Sequence, residues 1–147
     1  MRPKTLKVGK TWRKGRIKWC GPTALALITG RTLMHCQRML ASIKHTDQRY
    51  VRGCWGWEMK CALKRMGYQT WPLALDGKPT LRQYIVEQMP TREWKGTVLF
   101  ETGCHYVVAH AGMVQDNHQI EPTPVADHPA RRQRIQKGWL VTRIRKR

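Results

Sequence analysis

Acidic residues are scarce in this chain. Nine Asp and Glu stand against 28 Lys and Arg in 147 residues, a formal net charge of +19. The acids are scattered, Asp47, Asp76, Glu87, Glu93, Glu101 and Glu121 among them, and form no close pair of the kind that glycoside hydrolysis or a divalent-metal cage requires. Long hydrophobic runs are missing as well. The densest, Ala24 to Ile28, falls far short of the ~20 apolar residues that cross a bilayer, so no membrane association is expected. There is no CxxC pair, no Gly-rich phosphate loop, no internal repeat and no low-complexity tract. Helix-turn-helix spacing, RNP motifs and zinc fingers are lacking, which leaves direct reading of nucleic-acid sequence unsupported.

The basic N-terminus is followed by no apolar segment, so it does not read as a secretory signal. The expected location is the cytoplasm where the chain is made, or a particle assembled there. Five cysteines, an odd number, then read as free thiols rather than a disulfide framework. A structural zinc would have to be assembled from scattered residues such as His35, Cys36, Cys54 and Cys61. Neither a metal nor another cofactor is expected.

What is present is an apolar fraction of 41%, ordinary for a globular protein. The length accommodates one domain, read here as residues 19–147 behind a basic arm over 1–18. The excess of positive charge repels itself in a compact state, which calls for a counter-charge at work, and nucleic acid is the usual one. The cations concentrate at the two ends, giving a basic patch of Arg13, Lys18, Arg145, Lys146 and Arg147. The plainer reading of the same residues is a solvated surface that keeps the protein soluble. Seven Trp, several beside cations (Trp12, Trp19, Trp55, Trp57), would suit stacking on single strands, whereas Trp55, Trp71 and Trp139 also read as core or groove-lining residues.

Periodicity places helices first and strands later. A helix opens at Cys20, with Pro22 in its first turn and Gly30 as its stop; a second spans Thr32 to Ile43; a third spans Glu58 to Met66 and stops at Gly67. Tyr68 to Leu75 reads as a strand interrupted by Pro72, and Thr80 to Gln88 as a short helix. Strands follow at 97–101, 104–110 and 113–120, with Ala111-Gly112 as a tight turn, and a late strand at 138–144. The expected class is α+β, with N-terminal helices packed on a C-terminal antiparallel sheet.

Cys20 is the residue with a chemical reading. A helix N-terminus presents unpaired N–H groups and a positive dipole end, which favours thiolate over thiol. For Cys36, Cys54, Cys61 and Cys104 the role of small buried residue fits better. A base must share the proton, and His105 begins the alternating segment His-Tyr-Val-Val-Ala-His. With Ala111-Gly112 as turn residues, His110 pairs with Met113, Val108 with Gln115, Val107 with Asp116 and His105 with His118. Asp116 then lies diagonal to His105 on one face and can orient the imidazole; a slip of one residue would put Asn117 there instead.

Trp-Cys-Gly-Pro-Thr-Ala-Leu at 19–25 resembles the nucleophile helix of papain-like cysteine peptidases of the bacteriocin-leader-cleaving group. Gly-Cys-His-Tyr-Val-Val-Ala-His at 103–110 and Met-Val-Gln-Asp at 113–116 are similar to that family's His and Asp strands, and Leu-Lys-Arg-Met-Gly-Tyr at 63–68 to its intervening segment. The resemblance implies a papain-like fold, with Cys20 as nucleophile, His105 as general base and Asp116 as orienter. Family members usually carry a Gln shortly before the nucleophile, which helps hold the oxyanion. Residues 11–19 contain no Gln or Asn, so Lys14 and Arg16 are the oxyanion candidates, alongside the Cys20 backbone N–H. A small basic version of this fold suits a bacteriophage-encoded protein, in the host cytoplasm or virion interior.

The expected function is a cysteine peptidase, or a related thiol acyl-transfer hydrolase, acting on a peptide or protein, with acidic segments favoured by charge. The alternative is a catalytically degenerate papain-like scaffold that binds nucleic acid or an acidic protein partner. A third reading is a basic structural component packed with a genome.

Overall fold

The computed structural model describes residues 19–45, 53–103 and 105–145. Three helices come first: α1 (Cys20–Thr29), α2 (Leu33–Ile43) and α3 (Gly56–Arg65). β1 (Tyr68–Pro72) follows, then α4 (Leu81–Gln83) running into a π-helical turn at Tyr84–Gln88, and α5 (Thr91–Lys95). The remainder is β2 (Thr97–Glu101), β3 (Tyr106–His110), β4 (Met113–Gln115), β5 (Thr123–Pro124), a 3₁₀ turn at Val125–Asp127 and β6 (Lys137–Arg143). The expected α+β class is what forms. None of the described helices is long and apolar enough to cross a membrane.

The strands make one antiparallel six-stranded sheet in the order β1-β6-β2-β3-β4-β5. The late strand β6 lies between β1 and β2, which pushes β1 to one edge. Pro72 is tolerated there because an edge strand does not need every ladder donor. Both faces of the sheet are covered. Leu99, Tyr106, Val108, Trp139 and Val141 pack under α1, α2 and α3, while Val98, Phe100, Val107, Ala109 and Leu140 pack against Leu81, Tyr84, Ile85 and the loop residues Val125, Ala130 and Ile135. This two-sided burial explains why β2 reads as a continuous Thr-Val-Leu-Phe run rather than an alternating one, since all four of those residues are buried.

α1 is the central helix. Ala24, Leu25, Ala26, Leu27 and Ile28 are each at most 2% exposed, so the helix is enclosed on every side, as its unbroken apolar run requires. It ends at Gly30 in the left-handed conformation (φ 74). α2 is capped by Thr32, whose hydroxyl accepts from the His35 N–H at 3.1 Å. Glu58, buried in the first turn of α3, accepts from the Trp55 N–H and from Lys44 Nζ, both at 2.7 Å, and so ties the end of α2 to the start of α3.

The β3–β4 hairpin sets the register near the candidate site. Ala111 (φ 50) and Gly112 (φ 79) form a two-residue turn with both φ values positive, matching the twist of the strands. His110 pairs with Met113 and Val108 with Gln115, as the turn dictates. The strands are shorter than their sequence reading, because β3 begins at Tyr106 and β4 ends at Gln115. The ladder pairs Val107–Asp116 and His105–His118 therefore do not form. At 116 the chain turns instead, with the Asp116 N–H donating to the Gln119 carbonyl at 3.0 Å. The helix at 91–95 and the short β5 have no counterpart in the sequence reading.

A Cβ at Gly112 would lie 2.5 Å from the Trp94 ring, whereas one at Gly77, also at positive φ (69), would meet nothing within 4 Å. Urea unfolding should show Gly77→Ala costing about 1 kcal/mol from backbone strain alone and Gly112→Ala about 2–4 kcal/mol from strain plus overlap. Equal costs would contradict this account of the hairpin.

Candidate functional site

Cys20 is the first residue of α1, and the N-cap residue Trp19 makes no side-chain capping bond. The preceding Trp19 has φ 73, a conformation that costs a bulky residue about 1–3 kcal/mol and is held by the surrounding structure. Thr23 anchors it, donating to the Trp19 carbonyl through both its N–H (3.3 Å) and its hydroxyl (2.9 Å). Gly21 is needed for space, since a Cβ there would sit 2.7 Å from Cys54 Sγ. Cys54 in turn is fixed through its carbonyl, which accepts from the Tyr106 hydroxyl at 2.8 Å. The Cys-Gly-Pro sequence thus lets the start of a buried helix press against Cys54, while Pro22 loses no N–H that the helix needs.

α1 packs on β3, and the residue just before β3 is His105. Its ring is engaged from two directions. Nε2 lies 2.8 Å from Asp116 Oδ2, and Cys20 acts on the same imidazole by attraction. Burial lowers the His105 pKa, but hydrogen bonds and electrostatic attraction to Asp116 and Cys20 outweigh it, and the value rises from 6.5 to about 9. The ring of exposed His118 stacks on that of His105, centroids 5.4 Å apart.

Each oxygen of Asp116 has a separate task. Oδ2 holds His105, while Oδ1 accepts from the backbone N–H groups of His118 (3.0 Å) and Gln119 (2.7 Å). Burial pushes the carboxyl pKa up, but the His105 and Gln119 hydrogen bonds and the electrostatic pull of the neighbouring His128 and His105 rings bring it below its ordinary value. The turn that ends β4 is therefore built around an ionised carboxylate, and Asp116 rather than Asn117 is the residue bonded to His105.

His128 completes the cluster from the other side. It is fully buried, its Nδ1 accepts from the Ala130 N–H at 3.0 Å, and its Nε2 lies 3.7 Å from Asp116 Oδ1. A ring nitrogen can accept only when unprotonated, so the hydrogen is on Nε2, which has no hydrogen-bond partner among the described residues. Burial lowers the His128 pKa against the pull of Asp116, with His105 adding to the fall, which keeps the ring neutral. The sequence offered no signal for this residue, because it lies in a proline-containing loop that only folding brings beside β4.

The chain thus brings together Cys20, His105 and Asp116. Lys14, Arg16, Arg13, Lys18, Lys146 and Arg147 lie outside the described residues, as does Cys104; Arg145 is exposed beyond β6. No family model, curated protein or solved structure matches this chain. Of the other thiols, buried Cys36 and half-buried Cys54 are pushed up to about 12, chiefly by burial. Of the tryptophans discussed, Trp139 is buried whereas Trp55 and Trp71 are exposed.

His105 should titrate near 9 by NMR and at a lower pH in Asp116→Asn, since removing the carboxylate removes what favours the cation. The folded state binds this proton more tightly than the unfolded chain does. The resulting stabilisation is full below about pH 6.5 and is lost as pH rises through about 9. A His105 titration at its unperturbed value would contradict the geometry.

Proposed function

We propose that this protein is a cysteine peptidase of papain-like design that cleaves acidic peptide segments. The observation that carries the reading is an imidazole bonded to a carboxylate just past the end of a strand, with its proton affinity raised by a cysteine at the N-terminus of a buried helix. A helix-borne nucleophile facing a sheet-borne base and orienter is the papain-like division of labour. The resemblance of residues 19–25, 103–110 and 113–116 to that family supports the same roles.

The chemistry follows from the protonation of His105. With its pKa near 9 the ring carries a proton at neutral pH, and in the reacting form Cys20 Sγ is the nucleophile while His105 Nδ1 holds the proton destined for the leaving group. Sγ attacks the peptide carbonyl carbon, and the C=O π pair moves onto oxygen, toward the Cys20 backbone N–H. Collapse of this intermediate breaks the C–N bond, and the departing amine takes the Nδ1 proton, leaving a thioester and neutral His105. Water then attacks the thioester while Nδ1 accepts its proton. The C–S bond breaks, the acid product leaves and the starting form is restored. Throughout, Asp116 holds Nε2 and keeps the ring in one orientation, with its Oδ1 fixed by the 118–119 backbone. The charge of +19 attracts acidic substrates.

Incubation with a peptide library, read by mass spectrometry, should reveal new termini that disappear in Cys20→Ala and fall by about 10²–10⁴-fold in His105→Ala. The rate should decline above about pH 9, where His105 no longer carries the proton for the leaving amine, and this alkaline limb should move to lower pH in Asp116→Asn. Cleavage that persists in Cys20→Ala refutes the assignment.

A further inference from the structure

On the sheet face opposite α1, the segment from Pro79 through α4 is laced to the loop over 131–135. The Leu81 N–H donates to the Gln133 carbonyl at 2.9 Å, the Arg82 N–H to the Arg131 carbonyl at 3.0 Å and the Ile135 N–H to the Pro79 carbonyl at 2.9 Å. Beside this seam lies a cavity of about 280 Å³. Three arginines line it, Arg82, Arg131 and Arg132, together with Thr80, Gln83 and one acid, Glu87. Leu81, Tyr84 and Ile85 anchor the same wall in the core, so the cavity is formed before any ligand arrives.

The lining is rich in donors. Among the described residues the ion pairs are Lys44–Glu58 and those of Asp116 with His105 and His128, so none of the three guanidiniums is paired with a carboxylate. Arg131 is held: its Nη1 donates to the His128 carbonyl at 3.1 Å, which leaves most of its five N–H groups unengaged by the protein. Gln83 Oε1 accepts from the Thr80 N–H at 3.0 Å, and Thr80 Oγ1 accepts from the Gln83 N–H at 3.1 Å. The Gln83 amide and the Thr80 hydroxyl therefore keep hydrogens to donate. Three guanidiniums against one carboxylate leave two positive charges uncompensated. Such charges repel one another around a concavity unless an anion occupies it.

We propose that this cavity binds a small phosphorylated molecule, its phosphate monoester dianion held by Arg82, Arg131 and Arg132 and its organic part against Val86, which also lines the cavity. The planar guanidinium fork matches a pair of phosphate oxygens. A dianion balances the two uncompensated charges, whereas a carboxylate balances one. At about 280 Å³ the cavity is close to the lower limit, roughly 300 Å³, of pockets that enclose small ligands. A nucleic-acid strand is held instead along an extended groove. Part of the wall is the π-helical turn Tyr84–Gln88, a rare geometry that recurs at functional sites. The cavity lies across the sheet from Cys20 and takes no part in the peptidase reading.

The test is isothermal titration calorimetry of the full chain with phenyl phosphate as the probe. Arg82→Gln, Arg131→Gln and Arg132→Gln should each weaken binding about 10- to 100-fold. Lys60→Gln, which removes one positive charge on α3, should leave it unchanged. Arg82 and Arg132 are exposed, so their variants report on the cavity even if Arg131→Gln, which loses the bond to His128, does not fold. Glu87→Gln should tighten binding by up to about fivefold. Affinity should fall as pH drops through about 6, where the dianion takes up a proton. Benzoate, with a single charge, should bind at least about tenfold more weakly. Absence of binding at millimolar probe overturns the proposal, as do equal affinity for benzoate, Arg82 and Arg132 variants that bind as the parent does, or an equal loss in Lys60→Gln. So does an oligothymidylate without terminal phosphates whose affinity falls as far as the probe's in the arginine variants, since the cavity would then belong to a nucleic-acid surface.

Discussion

The 2.8 Å bond between His105 Nε2 and Asp116 Oδ2 is the contact on which the candidate site depends. It joins the residue before β3 to the residue after β4, and it forms because the two-residue turn at Ala111-Gly112 leaves both at the same end of the hairpin. A half-buried imidazolium beside a buried carboxylate is favourable only when their remaining polar groups are also bonded. On the carboxylate they are, since Oδ1 of Asp116 takes two backbone N–H groups, and attraction to Cys20 favours the His105 cation further. The contact therefore orients the ring as well as charging it.

α1 supplies the other half of the geometry. A helix enclosed on all sides cannot shift along its axis without opening voids under Leu25, Leu27 and Ile28, each of them fully buried. That packing fixes where Cys20 stands relative to β3, and Gly21 allows the first turn to close on Cys54. With so few acids in the chain, their placement carries weight. Glu58 ties α2 to α3 through Lys44, and Asp116 organises the turn after β4. Both are buried, whereas the cations among the described residues lie largely on the surface, where the self-repulsion of a +19 chain is weakest.

Much of this was legible in the sequence because it is encoded locally. Pro22 and Gly30 bracket α1, Thr32 and Gly67 mark helix limits, and Ala111-Gly112 specifies the hairpin from which the nearness of Asp116 to His105 follows by counting. What the residues did not reveal is encoded by distant contacts. β6 inserts between β1 and β2 because its Leu140 and Val141 each complete a different core, and no local pattern states that order. The strand expected over 113–120 stops at Gln115 because the Asp116 carboxylate captures the next N–H groups in place of a ladder. The place of His128 was hidden for the same reason: its neighbours, Ala130 and Asp116, are a loop residue and one in the turn after β4.

The central claim is that His105 and Cys20 act as one unit, and the most direct measurement is the rate at which iodoacetamide alkylates each cysteine at neutral pH, read by mass spectrometry. The account predicts that Cys20 reacts far faster than Cys36 and Cys54, whose thiols burial pushes up to about 12, and that His105→Ala removes most of this advantage. A Cys20 that reacts no faster than those two, or whose rate is the same in His105→Ala, would contradict it.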